Sequence, residues 1–212
     1  MGSRVVRYFS PEALERKAQE FLAAHHASLT IPVPIEEIVE FKLGLNIIPF
    51  PDLSKRFDVD GFLTFVPDSI YVDQGQLETQ ETRYRFTLAH EVGHWILHRD
   101  LYADAEVHNL EGYFKAYGEL DDDALKDFEF QARNLGGRIL LPEARCVAAA
   151  KAALPNARQM GAKAGQGANE KLVCGAIARL VADQFKVNHQ VAETRLWGDE
   201  LCKKLGMKGR RG

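Results

Sequence analysis

Cysteine is scarce in this sequence. The 212 residues hold three (Cys146, Cys174 and Cys202), an odd number, widely spaced and without a C-x-x-C pair. That pattern excludes a disulfide framework and a cysteine zinc site, and it fits free thiols in a reducing compartment. Long apolar runs are missing too. No stretch approaches 18 consecutive apolar residues, which excludes a membrane-spanning helix, and the N-terminus lacks a run of signal-peptide length. Charge of one sign is not in excess: 27 Lys and Arg stand against 30 Asp and Glu, a formal net charge of -3. This excludes a broadly basic nucleic-acid coat. There is no internal repeat and no linker that divides the chain. A cytoplasmic globular protein is the expectation. Its size allows about 70% of the unfolded surface to be buried, so it needs no metal merely to fold.

What is present is a mixture of helical and extended patterns, an α+β chain. Ser10 can cap a first helix with Pro11 at its first position, and Leu14, Ala18, Phe21 and Leu22 share one face. Ile35 to Leu43 reads as a short helix stopped by Gly44. Leu45–Pro49, Phe62–Val66 and Ser69–Asp73 read as strands, with Asp60-Gly61 as a turn, and suggest a small three-stranded, mostly antiparallel sheet. About six helices pack with it. Arg83 to His98 is one of them. Asp100 to Leu120 shows no clean period and reads as irregular. A further helix runs from Asp122 to Leu135, where Gly136-Gly137 could let another backbone approach closely. Val187 to Leu196 holds a last helix capped by Asn188. The organisation expected is one domain over 1–212: a helical N-terminal region 1–44, a sheet 45–73, helices 83–98 and 122–135, and C-terminal helices 143–205 with a flexible loop at 160–169.

One motif dominates, His90-Glu91-Val92-Gly93-His94, an H-E-x-x-H. On a helix, positions i and i+4 share a face, so the two imidazoles can bind one zinc ion. Glu91, beside the first of them, can take a proton from a water that the metal activates. Chance would place such a motif on the order of 0.02 times in a chain of this composition. A catalytic zinc site wants a third protein ligand. His98 continues the i+4 series, but eight residues of helix span about 12 Å, too far for His90 and His98 to share an ion. Packing or the helix dipole is the expected role of His98. Downstream carboxylates form a better pool. Glu129 lies between two phenylalanines near an apolar stripe, where a carboxylate needs a partner. Glu106, Glu111, Glu119 and the run Asp121-Asp122-Asp123 remain rivals, the last reading more simply as a solvated helix start.

The two blocks around these residues resemble the ImmA/IrrE-type zinc metallopeptidases. Arg85-Phe-Thr-Leu-Ala-His-Glu-Val-Gly-His94 is followed by Glu129-x-Gln-Ala-x-x-Leu-Gly-Gly-x-Ile-Leu-Leu-Pro142, and Val187 to Leu196 is similar to the family's ending. The resemblance covers roughly residues 35 to 196. It implies a zincin-like fold, with His90, His94 and Glu129 as metal ligands and Glu91 as the catalytic acid/base. It further implies a zinc-dependent endopeptidase that cleaves a regulatory protein, such as a helix-turn-helix repressor, in stress response or transcription regulation.

Zinc is the expected ion, although two imidazoles and a carboxylate also accept manganese or iron. The expected partner is a protein substrate, with no direct nucleic-acid binding and no membrane; oligomeric state is open. The alternative is a non-proteolytic binding protein for a repressor or antitoxin, which would have no need of Glu91. A DNA-binding regulator draws weak support from the basic end (Lys203, Lys204, Lys208, Arg210 and Arg211) and from the Val187–Leu196 segment. Ser69–Asp73 is the candidate sheet edge for an extended substrate or else an ordinary core strand, and Arg83, Tyr84 and Arg85 are either solvated groups or help to hold the substrate's carbonyl or carboxylate.

Overall fold

The computed structural model describes residues 6–65, 68–163, 170–198 and 201–207. The end of the expected second strand (Val66), most of the expected loop at 160–169, and Lys208, Arg210 and Arg211 lie outside the described residues.

The chain begins with helix α1 (Pro11–His25), capped as expected: the Ser10 side chain accepts from the Ala13 N–H. Leu14, Ala18, Phe21 and Leu22 are its buried face. Helix α2 (Ile35–Glu37) runs into a π-helical turn (Ile38–Lys42), and Gly44 ends it at φ +68°, a conformation open to glycine. Strand β1 (Asn46–Phe50), helix α3 (Leu53–Phe57), strands β2 (Gly61–Thr64) and β3 (Ser69–Asp73) and helix α4 (Gln74–Thr79) follow.

The sheet has three strands, as expected, but it is mixed rather than mostly antiparallel. The strand order is β1-β3-β2; β1 and β3 are parallel, and β2 and β3 antiparallel. Ser69–Asp73 is therefore the central strand, and β2 is an edge. The apolar alternation of β3 suits either place. Its burial, with Ile70 and Val72 fully enclosed, follows from pairing on both sides.

Helix α5 (Glu81–Leu97) carries the H-E-x-x-H segment. The stretch expected to be irregular holds two helices, α6 (Arg99–Asp104) and α7 (Leu110–Gly118). Both are short, and α7 buries only Tyr113, so no periodic stripe announces it; its local signal is a cap, with Asn109 accepting from the Gly112 N–H. Helix α8 (Asp122–Leu140) continues past the expected end at Leu135, through both glycines. Helices α9 (Glu143–Lys163), α10 (Glu170–Phe185), α11 (His189–Gly198) and α12 (Leu201–Lys204) complete the description. Several helices of three to six residues lie below the reach of periodicity, so there are more than the six expected.

The crossing of α5 and α8 positions everything that follows. A Cβ on Gly93 would lie 2.5 Å from the Ala132 carbonyl oxygen, and one on Gly136 would lie 2.8 Å from the backbone of Ala89. Two backbones meet here without side chains between them. Leu88, Val92, Leu135 and Ile139 seal the crossing, each fully buried. Each such burial contributes about 1.5–3 kcal/mol. Behind it, Glu15 of α1 joins Arg138 of α8 and Arg195 of α11 at 3.3 and 2.8 Å. Among the described residues no helix is long and apolar enough to cross a membrane.

Candidate metal centre

Helix α5 presents His90 and Glu91 to a cleft of about 1450 Å³ that is also lined by Asp60, Tyr117 and Glu129, and His94 is buried beside them. The helix lies close to β2 because residue 61 is glycine; a Cβ there would meet Thr87 Cγ2 at 2.6 Å and the Tyr71 carbonyl oxygen at 2.8 Å.

Three donors from two helices converge at one end of the cleft. His90 Nε2 lies 3.0 Å from His94 Nε2 and 3.2 Å from Glu129 Oε2, and His94 Nε2 lies 3.5 Å from Glu129 Oε1. Tetrahedral ligands at zinc–ligand lengths stand about 3.3 Å apart. The donor set and its spacing thus fit one divalent ion, and His90, His94 and Glu129 are the group that could hold it among the described residues. The donor identities suit zinc and also manganese or iron.

The rivals to Glu129 are elsewhere. Asp121 caps α8 through the Ala124 N–H, and Asp123 pairs with Lys126 at the exposed helix start, as expected for that run. Glu106, Glu111 and Glu119 do not enter the group. A carboxylate between two phenylalanines is explained: Phe128 points into the core, Phe130 to the surface, and Glu129 between them faces the histidines.

Charge in the site follows from burial and pairing. Burial alone would raise the Glu129 carboxyl, but hydrogen bonds from His90 and His94 outweigh it and hold the group far below the ordinary carboxylate range. Burial pushes His94 down to about 4, so it is neutral, the form that ligates metal. For His90 burial acts the same way but is overcome by Glu129 and Glu91, and its basicity rises. Glu91 is buried, which raises it to about 7; the charges of Glu129 and Asp60 add to this and His90 opposes it. A carboxyl group titrating near neutrality is suited to accept and return protons. Glu91 Oε2 has no hydrogen-bond partner among the described residues.

The surroundings include residues that sequence reasoning missed. The Tyr117 hydroxyl of α7 donates to Glu129 Oε1. Phe128 lies against both His94 and His98, with ring centroids 4.3 and 4.2 Å apart. His98 does not join the donor group. It is buried behind His94, with Nδ1 3.0 Å from His94 Nδ1. The aromatic spacing Tyr113-Phe114-Tyr117 after the Asn109 cap was the available signal for α7.

The arginines before the motif divide. Arg83 faces the cleft and grips Asp60 with two hydrogen bonds of 3.0 and 2.6 Å. Asp60 also accepts from Ser54 Oγ and Gln76 Nε2, so it ties α3, α4 and α5 to the start of β2. Arg85 instead donates to the carbonyls of Val33 and Lys186, and Tyr84 is buried. These two bind the protein to itself and do not reach the site as expected.

An α+β chain with two helical histidines, an adjacent glutamate and a carboxylate from the next long helix has the framework of a metallopeptidase. The family model described as Peptidase_M78, IrrE N-terminal-like domain, matches residues 55–196, and the chain belongs to that family. No curated protein and no solved structure matches it.

Proposed function

We propose that this protein is a zinc-dependent endopeptidase in which His90, His94 and Glu129 hold the ion, Glu91 is the general base and acid, and the substrate is a specific regulatory protein such as a DNA-binding repressor. The observation that carries the reading is Glu91: buried, raised to about 7, with Oε2 unpartnered beside the donor group. An unpartnered buried carboxylate oxygen costs about 1–3 kcal/mol, which a protein that only binds has no reason to bear.

The bound ion would supply Lewis acidity toward a peptide carbonyl and toward water. The chain's own residues do the rest. Glu91 Oε2 takes a proton from the attacking water and delivers it to the departing amine nitrogen. Tyr117 holds Glu129 in place through Oε1. Strand β2 is an edge of the sheet and its first residue, Gly61, lines the cleft, so an extended substrate segment would approach the donor group at that end of the strand. This is the place given to Ser69–Asp73 from the sequence.

The test is to incubate zinc-loaded wild type and Glu91→Gln with the protein products of the adjacent genes and to analyse the products by mass spectrometry. A defined pair of fragments from wild type alone supports the endopeptidase. A stable complex with intact substrate supports the binding protein.

A further inference from the structure

His98 is eight residues beyond His90 and plays no part in the donor group, yet it is buried and polar. A buried imidazole without hydrogen bonds would be costly. Three observations define its setting. Its Nδ1 lies 3.0 Å from Nδ1 of His94. Its ring stacks on Phe128 at 4.2 Å and 24°. The side chain of Gln131, buried on α8, lies beside its ring. Among the described residues neither His98 Nε2 nor either end of the Gln131 amide has a hydrogen-bond partner, so two buried polar groups on neighbouring elements stand unsatisfied.

We propose that His98 is a positioning residue for the metal centre: its Nδ1 accepts from His94 Nδ1–H, its Nε2–H donates to Gln131 Oε1, and the pair holds the Nε2 lone pair of His94 toward the ion. This rests on the reading that His94 is a ligand. Only one proton can lie between two Nδ1 atoms at 3.0 Å when both rings are neutral. When Nε2 of His94 binds metal, that proton belongs to His94 Nδ1, and His98 must carry its own on Nε2. In the proposal the unpartnered Gln131 Oε1 accepts it. Metal-bound histidines commonly donate their second N–H to a carboxylate or carbonyl. Here the acceptor is a neutral imidazole, so the relay adds no charge to the site. It also runs from α5 to α8, and Gln131 stands two residues from Glu129, so the helix that supplies the third ligand also anchors the second.

The test measures zinc affinity by competition with a chromophoric chelator, together with the thermal stability of the metal-free proteins. His98→Leu removes the acceptor and should weaken zinc binding 10–100-fold. His98→Asn places an acceptor oxygen where Nδ1 was, while losing the stack on Phe128. It should bind zinc within about threefold of wild type although its metal-free form is destabilised like the leucine variant. A residue that only packs would give the two variants equal affinity, and that result overturns the proposal. The second measurement needs no variant: long-range ¹H–¹⁵N correlation on zinc-loaded, ¹⁵N-histidine-labelled wild type. Protons on Nδ1 of His94 and Nε2 of His98 are expected, and a proton on Nδ1 of His98 overturns the proposal. A wild type that binds no zinc removes the metal reading and this one with it, whereas wild-type affinity in His98→Leu removes this one alone.

Discussion

Gly93 and Ala132 are in backbone contact: a methyl group at position 93 would sit 2.5 Å from the carbonyl oxygen of Ala132. Three residues before that glycine is one candidate ligand, one residue after it is another, and three residues before Ala132 is the third. The spacing of α5 and α8 therefore sets the spacing of the donors. Gly93→Ala must push the helices apart and should cost about 1–3 kcal/mol of stability. It should also weaken metal binding. Gly175→Ala is the control, because nothing lies within 4 Å of a Cβ there. That change should be neutral or stabilise by up to about 1 kcal/mol through helix propensity. Thermal melts of both variants check this.

The buried Glu91 makes the metal-free protein less stable at high pH. Its carboxyl is raised from 4.5 to about 7 on folding, chiefly by burial. Between these values the folded chain holds a proton that the unfolded chain has released. Stability is therefore fully present below about pH 4.5 and is lost as the pH rises through about 7. Glu91→Gln removes this dependence. In metal-free protein at pH 8 it should exceed wild type by on the order of 3 kcal/mol, and the difference should vanish near pH 4. Denaturant unfolding at the two pH values measures it. Equal stabilities at pH 8 would show that Glu91 is solvated.

Much of this arrangement was legible in the sequence, for identifiable reasons. The α1 cap at Ser10, the strand Ser69–Asp73 and the long helices declare themselves through local signals: caps, alternation and period. The pair His90 and His94 needs only the helix repeat. Glu129 was one carboxylate among several until the resemblance singled it out, because a third ligand from another helix is a tertiary fact. The sheet order was illegible, since β3 would show the same alternation at an edge or in the middle. Tyr117 and the His98–His94 contact were missed for the same reason. Periodicity says which face is buried but not what it meets. The close helix approach at Gly136-Gly137 was foreseen, and Gly136 rather than Gly137 makes it.

Metal removal should leave the fold standing. The core is continuous through α5 and α8 without any contribution from an ion: Leu88, Val92, Leu135 and Ile139 are fully buried. Chelation should keep the far-ultraviolet circular dichroism unchanged and lower the melting temperature only as far as the loss of bound ligand requires. Collapse of the helical signal on chelation would mean that the ion is structural.

The most direct measurement of the central claim is metal content after extensive dialysis, by elemental mass spectrometry, for wild type, Glu91→Gln and Glu129→Ala. With His90, His94 and Glu129 as the proposed ligand set and Glu91 outside it, wild type and Glu91→Gln should each retain about one zinc per chain and Glu129→Ala almost none. Full occupancy in Glu129→Ala would contradict the centre described above.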